Sequence, residues 1–179
     1  SSSLSLLLFD ESGIKVSGFS SSLAPFLVLT AGLLKRAGRM AFVVPAEIGH
    51  ASYARDLLTY FTSQFRDVRV IAIQDRIFSD LSQDVWLLYL GGKGSSSTSI
   101  RFAAVDKFIP THRPPAGIRL TLDELAEWQN RLRPFLLKDT LRETYRRFSA
   151  GTCSTELGHL ARVGICYVTV SISFFHLRP

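Results

Sequence analysis

The chain has 179 residues, of which 46% are hydrophobic, so it is long enough for one packed domain and the edge of a second. No apolar run reaches the length of a membrane span, and residues 1–9 lack the basic start and the cleavage site of a signal peptide, so we expect a cytoplasmic protein with no membrane partner. The two cysteines, Cys153 and Cys166, are too few for a disulfide framework and lack metal-ligand spacing, which predicts two buried thiols.

The chain begins with a segment of little pattern and continues into a helix. Residues 1–22 contain neither a strand with a Gly-rich turn nor a clear helix cap. Leu23 to Ala37 predicts a helix, because Pro25 suits a first turn and Gly38 suits its close. Its apolar face is predicted from residues that recur at helical spacing: Phe26, Leu29, Leu33 and Leu34.

Three short apolar runs rich in β-branched and aromatic residues predict strands: Ala41–Val44, Val68–Ile73 and Val85–Leu90. Pro45 ends the first strand because it has no amide proton for a sheet ladder. The loop Gln74 to Gln83 is too short and too polar for a crossover helix, so the third strand is expected to run antiparallel to the second. These elements predict half of an open α/β sheet.

A helical pattern separates the first two strands, and Ser52 can cap it. One apolar stripe is expected to face the sheet: Ala54, Leu57, Leu58, Phe61 and Phe65. Arg55, Asp56 and Gln64 are expected to face away. Because open α/β sheets bind ligands at the carboxyl-end loops of their strands, the segment Pro45 to His50 is a candidate rim of a binding site.

The run Gly91 to Ser99 predicts a flexible, solvated loop, because it lacks the spacing and the following helix that a phosphate-binding P-loop requires. Ile100 to Val105 predicts a further strand, which a Pro-rich passage follows. Two helical patterns come next, Leu122 to Asn130 and Lys138 to Phe148. Thr121 is expected to cap the first helix in a capping box with Glu124, and the second has an apolar face of Leu141, Tyr145 and Phe148.

The excess of positive charge is concentrated in the region that contains the two predicted helices. Residues 101–147 hold ten Lys and Arg against six Asp and Glu, within a chain of net charge +6. The candidate phosphate contacts on double-stranded DNA are Lys138, Arg142, Arg146 and Arg147, with Arg131 and Arg133 nearby. The alternative is a solvated face with ion pairs such as Glu143 with Arg147.

Three segments resemble the C-terminal half of the catalytic domain of adenine-specific DNA methyltransferases, in the group that includes the TaqI type. They are Gly38–Pro45, Tyr53–Leu58, and Arg76–Asp80 leading into Asp84–Leu88. The order of strand, proline, helix, strand, polar loop with a phenylalanine and antiparallel strand is similar as well. The resemblance implies an α/β fold: part of a Rossmann-like class I methyltransferase sheet, a helical connector and the beginning of a second domain.

This resemblance divides the chain into four expected parts. Residues 1–22 are a poorly defined N-terminal segment, and residues 23–105 are the C-terminal half of the catalytic domain. Residues 106–150 are a basic helical connector, and residues 151–179 begin a truncated DNA-recognition domain. In that last part Gly164, Ile165, Thr169, Phe174 and Phe175 match the pattern of the family, whereas Val170 and Ile172 replace an expected glycine and asparagine.

The activity implied by the resemblance is transfer of a methyl group from S-adenosylmethionine to the exocyclic amine of adenine in DNA. Phe78 would stack on the adenine once it is flipped out of the duplex, and Pro45 and Ala46 would line the same cavity. The alternatives are that Phe78 plugs the end of the sheet and that Pro45 only terminates a strand. Glu47 and His50 are expected to be exposed loop residues and to bind no metal.

Two motifs that the resemblance requires do not occur in the sequence: a Gly-containing cofactor loop and an Asn/Asp-Pro-Pro-Tyr/Phe loop. We therefore expect a fragment that has no catalytic residue, is inactive alone, and has its cofactor site mainly upstream. One alternative is a non-catalytic DNA-binding or assembly module that complements a partner subunit carrying the missing motifs. Another is an unrelated α/β enzyme that shares the sheet pattern.

Overall fold

The computed structural model of the chain describes residues 23–51, 53–78, 84–110, 113–151, 154–155 and 157–162. The chain divides into two compact units, Ser1–Lys138 and Asp139–Pro179. No helix in the described ranges is long and apolar enough to cross a membrane.

The first unit combines helices with a five-stranded mixed sheet, so the fold is of the predicted α/β class. Its elements are α1 (Leu23–Gly32), β1 (Arg39–Pro45), α2 (Ala54–Gln64), β2 (Phe65–Ile73), β3 (Val85–Lys93), β4 (Ser99–Val105), β5 (Ile118–Thr121) and α3 (Leu122–Glu127). Two 3-10 turns occupy Ala46–Gly49 and Arg133–Leu136. The second unit contains α4 (Asp139–Ala150) and α5 (Leu157–Leu160).

The five strands form one mixed sheet in the order β1-β3-β2-β4-β5. β3 pairs antiparallel with both β1 and β2, which confirms the predicted direction of the third strand. β2 pairs parallel with β4, and β5 pairs antiparallel with β4. Because β1, β2 and β4 run in the same direction, their carboxyl ends lie along one edge of the sheet and their amino ends lie along the opposite edge. We name these the carboxyl edge, at Pro45, Ile73 and Val105, and the amino edge, at Arg39, Phe65 and Ser99.

One face of the sheet carries the main hydrophobic core. Alternate residues of all five strands contribute to this core, and α1, α2 and α3 pack on the same face. The largest fully buried side chains include Phe61, Phe65 and Phe102. A smaller cluster of Ile71, Ile73 and Ala103 lies on the other face of the sheet. Since every described strand is tied to the same core, both edges of the sheet have a fixed geometry.

The apolar stripe predicted for α2 is confirmed. Four of its residues are buried, namely Ala54, Leu57, Leu58 and Phe61, while Arg55 and Asp56 are exposed. Phe65 is also fully buried, but it is the first residue of β2 and not part of the helix. Ser52 lies outside the described residues, and the residue at the cap, Tyr53, makes no side-chain capping hydrogen bond.

The helix predicted before β1 exists, but its boundary and its buried face differ from the prediction. Phe26, Leu29 and Leu33 are exposed, and the buried residues are Ala24, Leu27, Val28 and Ala31. The small side chains on this face allow a close approach to the sheet. The helix ends at Gly32 and not at Ala37. Ala37 instead has a φ angle of 60°, and its amide donates to the Lys93 carbonyl at 2.8 Å.

The loop predicted after β3 is shorter than expected, and a short strand was missed. β3 continues through Lys93, so residues 91–93 belong to the sheet and only residues 94–98 connect it to β4. β5 has four residues, too few to give a strand pattern. Gly117 precedes β5, and a Cβ at this position would lie 2.4 Å from the Phe102 carbonyl oxygen, so glycine is required where β5 meets β4.

The two helices after the sheet begin close to the predicted positions. The capping box of α3 is confirmed, with Thr121 and Glu124 bonded reciprocally. α3 ends at Glu127 and not at Asn130, because Gln129 and Asn130 both have positive φ angles. In α4 the predicted apolar face is exposed: Leu141, Tyr145 and Phe148.

Replacing Thr121 with alanine is expected to lower the free energy of unfolding by about 1 kcal/mol at neutral pH, because the hydroxyl caps α3. The pKa of Glu124 is lowered by hydrogen bonds from the backbone and then from the side chain of Thr121. A lowered pKa in the folded chain means that the carboxylate stabilises the fold above pH 4.5, its ordinary pKa, and that this stabilisation is lost as the pH falls through the lowered pKa. Urea unfolding should therefore show that Thr121→Ala lowers the free energy of unfolding by less in acid than at neutral pH. An equal loss at the two pH values would contradict this account.

Candidate functional site at the carboxyl edge

Three loops leave the sheet at the carboxyl edge, after β1, β2 and β4. Backbone hydrogen bonds fix two of them to each other: the Gln74 amide donates to the Val105 carbonyl at 3.0 Å, and the Asp75 amide donates to the Asp106 carbonyl at 2.9 Å. After β1, the Ala46 amide donates to the Asp84 carbonyl at 2.9 Å. The parallel direction of the three strands is therefore what brings residues distant in sequence to one edge.

Phe78 lies in the loop that follows β2 and is 44% exposed. The preceding residue, Ile77, packs instead on the smaller cluster of the sheet. In the described structure Phe78 is thus a large apolar ring that remains open to solvent at the carboxyl edge. The remainder of the matching segment, Ser79 and Asp80, lies outside the described residues.

Pro45 and Ala46 lie at the same edge of the sheet as Phe78. Pro45 is the last residue of β1, as predicted, and pairs with Val85 of β3. Pro45 is half-buried, whereas Ala46 is only 6% exposed and begins the 3-10 turn. Of these two residues, the proline ring therefore presents more surface toward a ligand.

The turn after β1 packs against the ring of Trp86. A Cβ on Gly49 would lie 2.4 Å from the ring of Trp86, which is buried, so the two residues are in direct contact. The Leu132 amide also donates to the Gly49 carbonyl at 2.8 Å. These contacts tie the turn to the core, and a rigid support is what a binding wall requires.

Glu47 and His50 differ in their environment. Glu47 is half-buried, so the expectation of an exposed residue is wrong for it, because its carboxylate accepts a hydrogen bond from the Tyr53 hydroxyl at 2.7 Å. His50 is exposed, as predicted. Within the described ranges, no cluster of three or more His, Cys, Asp or Glu residues could hold a metal ion.

Of the four candidate phosphate contacts, Arg142, Arg146 and Arg147 lie on α4, and Lys138 is the last residue of the first unit. Arg142 pairs with Asp139, and Arg146 pairs with Glu143 at 3.5 Å, one turn of the helix away. Arg147 is exposed. Glu143 thus pairs with Arg146, whereas the sequence suggested Arg147 as its partner.

Two described cavities lie at the opposite, amino edge. Their volumes are about 160 and 340 Å³, and both are lined mainly by arginine, lysine and serine. The sulfonium of S-adenosylmethionine is positively charged, so cationic walls do not fit it. Sequence reasoning missed this second site, because its residues are far apart along the chain.

Several predicted features lie outside the described residues. They are the N-terminal segment 1–22, both cysteines (Cys153 and Cys166), and the residues that resemble a DNA-recognition domain, from Gly164 to Phe175.

No family model matches the chain, and no curated protein matches it. Among solved structures, the ATP-dependent Type ISP restriction-modification enzyme LlaBIII bound to DNA has a TM-score of 0.46 at 13% identity, over 72% of this chain and 10% of that one. A modification subunit assigned to a type I restriction enzyme from Vibrio vulnificus YJ016 has a TM-score of 0.40 at 18% identity, over 60% of this chain and 24% of that one. DrdV in complex with DNA has a TM-score of 0.45 at 12% identity, over 71% of this chain and 13% of that one.

The chain thus spans between 10% and 24% of the length of these three proteins. The first is named as a restriction-modification enzyme and the second as a modification subunit, and two of the three were solved with DNA. At such low scores and identities, the likeness assigns neither an activity nor a family to this chain.

Proposed function

We propose that this chain is part of an S-adenosylmethionine-dependent DNA methyltransferase that acts on the exocyclic amine of adenine. The carboxyl edge then forms one wall of the pocket that receives an adenine flipped out of the duplex. The observation that carries the proposal is the exposed ring of Phe78, in the loop between β2 and the antiparallel β3, at the same edge as Pro45.

The three segments that resemble adenine-specific DNA methyltransferases support the proposal through their order in the fold. Residues 38–45 lead into and form β1, which ends at the proline, and residues 53–58 begin α2. Residues 84–88 lead into β3, which is antiparallel to its neighbours. The resemblance implies this same order of elements, with the phenylalanine in the loop before the last strand.

An aromatic ring at this position suits the chemistry. A flipped base has lost its partner and its stacking neighbours, and an aromatic ring can stack on it without any hydrogen-bond register, which is worth about 1–3 kcal/mol per base. Pro45 adds a rigid ring without an amide proton, and the turn after it is fixed against Trp86. Holding the base still is the contribution of this wall, because orientation of the reacting groups supplies much of the rate enhancement.

S-adenosylmethionine, when bound, supplies a methyl group on a positively charged sulfur. We propose that the cofactor and the adenine amine are held by residues other than those described, as the resemblance implies for a Gly-containing loop and an Asn-Pro-Pro-Tyr loop. On this proposal the described residues hold the adenine ring and make no contact with the methyl group. Lys138, Arg142, Arg146 and Arg147 are the proposed contacts of the connector with DNA phosphates.

A photo-cross-linking experiment tests the proposal. A duplex with 5-iodouracil opposite an abasic site offers an unpaired base that reacts with a neighbouring aromatic ring. We expect a cross-link in the tryptic peptide that begins at Ile77, and none in the Phe78→Ala variant. The same base in a paired duplex is the control. Cross-links confined to peptides of α4 would contradict the proposed pocket wall.

The second candidate function is a non-catalytic DNA-binding or assembly module that complements a partner subunit. The observation in its favour is the number of exposed cations, both on α4 and at the amino edge. Such a module would bind paired and unpaired duplexes alike, with a strong dependence on salt and no cross-link at Phe78.

A further inference from the structure

Six cationic side chains gather at the amino edge of the sheet, on the opposite side from Phe78 and Pro45. They are Arg36, Arg39, Arg66, Lys93, Arg101 and Arg119. They line the two cavities of about 160 and 340 Å³, and Arg66 belongs to both, so the cavities form one continuous surface. We call this surface the amino-edge clefts.

The first cleft lies where β1 and β2 begin and β3 ends. Gly92 has a φ angle of 75°, and a Cβ there would lie 3.0 Å from the Cβ of Arg66, so the arginine lies directly over the glycine. Lys93 donates to the Gln64 side chain at 3.2 Å and lies 5.3 Å from the centre of the Phe65 ring. Neither contact neutralises the ammonium, because the glutamine and the ring carry no net charge.

The second cleft lies where β4 and β5 pair. Arg101 and Arg119 are direct cross-strand partners, an arrangement in which like charges destabilise a sheet. The cleft contains one acidic residue, Asp67. Asp67 is bonded to Arg69 at 2.8 Å and lies 4.0 Å from Arg101, so its charge is shared between two arginines. Among the described residues, positive charge therefore exceeds negative charge at this edge.

The polar lining identifies the kind of anion that would fit. Ser95 lines the first cleft and Ser99 the second, so hydroxyl donors stand beside the arginines, whereas the Ser97 hydroxyl donates to the Ser99 carbonyl at 2.7 Å. Guanidinium groups and hydroxyls match the several acceptor oxygens of a phosphate. The described lining includes no aromatic or large aliphatic side chain, whereas the centre of a protein–protein interface is enriched in such residues.

The extent of the surface indicates a chain of phosphates and not a single one. β2, β4 and β5 are neighbours, so the arginines that they carry are distributed across about 10 Å, or two interstrand spacings. Along the axis of a duplex, one strand offers a phosphate about every 3.4 Å, so about three phosphates fit this width. We propose that the amino-edge clefts bind the backbone phosphates of nucleic acid, at a surface separate from the carboxyl edge.

The salt dependence of binding to a fully paired, labelled DNA duplex tests this inference. Arg101→Ala combined with Arg119→Ala is expected to reduce the slope of log affinity against log salt by about 1.8, since each phosphate contact contributes about 0.9. The control is Arg55→Ala, which removes one exposed arginine on α2, outside the clefts, and should leave the slope unchanged. Circular dichroism melting of both variants confirms that they are folded.

A second variant separates charge from geometry. Arg101→Lys combined with Arg119→Lys keeps both charges, so we expect the slope to be retained while affinity falls through loss of the guanidinium contacts. An unchanged slope in the alanine variant would overturn the inference. So would a loss of binding to polyglutamate equal to the loss of binding to DNA, because polyglutamate carries negative charge but no phosphate. The inference is tested independently of methyl transfer, because the paired DNA duplex has no unpaired adenine and no S-adenosylmethionine is added.

Discussion

Replacing Phe61 with alanine is expected to lower the free energy of unfolding by about 3–5 kcal/mol, a large part of the stability of a typical domain. Phe61 is fully buried on α2, and its ring packs 5.6 Å from Tyr60 and 6.1 Å from Phe65, measured between ring centres. Truncation leaves a cavity between the helix and the sheet that these neighbours cannot fill. Urea denaturation followed by tryptophan fluorescence measures the loss.

The matched control for this change is Phe26→Ala on α1. Phe26 is 55% exposed and makes one edge-to-face contact with Phe42, at 5.7 Å between ring centres. We expect a cost of about 0.5–1.5 kcal/mol, the range for an aromatic pair. Equal costs for the two variants would contradict the assignment of the buried face of α1, because the sequence alone suggested that Phe26 lies on the apolar side.

Replacing Phe78 with alanine is expected to weaken binding to a duplex with an unpaired adenine by about 5- to 150-fold, which corresponds to the 1–3 kcal/mol of one base–aromatic stack. Fluorescence anisotropy with a labelled duplex, in which the adenine faces an abasic site, measures the change. Since Phe78 is 44% exposed, its removal should lower the free energy of unfolding far less than removal of the fully buried Phe61.

Phe26 provides the control, because it has the same side chain, lies on α1 and is 55% exposed, against 44% for Phe78. Phe26→Ala should bind the duplex with the unpaired adenine as the unmodified chain does. A similar loss of affinity in both variants would mean that Phe78 acts through general apolar contact and not through a defined stack.

The strands around the carboxyl edge could be predicted from the sequence, because strong local signals agree there. Val68 to Ile73 and Val85 to Leu90 are mainly apolar and contain β-branched or aromatic residues, and the loop between them is too short for a parallel crossover. The stripe on α2 was equally clear, because charged residues mark its opposite side.

The features that the sequence did not reveal depend on packing or on contacts between distant segments. α1 is apolar on both sides, so only the small Ala24 and Ala31 distinguish the buried face. β5 is too short to show a period, and its position depends on Gly117 meeting the backbone of β4. In both cases the neighbouring element, and not the local pattern, decides the structure.

The candidate sites likewise contain some residues that the sequence could indicate and others that only contacts between distant segments bring together. Pro45 and Phe78 could be selected because the resemblance implies these roles for residues that follow the first two predicted strands. The hydrogen bond from Tyr53 to Glu47 could have been suspected only from their spacing across the turn. The amino-edge clefts could not be predicted, since Arg66, Arg101 and Arg119 are brought together by strand pairing across β2, β4 and β5.

The affinity ratio of this chain for unpaired and paired adenine tests the proposed function most directly. We predict binding about tenfold or more tighter to a duplex with an adenine opposite an abasic site than to the paired duplex, because extruding a paired base costs a few kcal/mol. The preference should disappear in Phe78→Ala and persist in Phe26→Ala. Equal affinity of the unmodified chain for both duplexes, or a preference that survives Phe78→Ala, would contradict the assignment of the carboxyl edge as the wall of an adenine pocket.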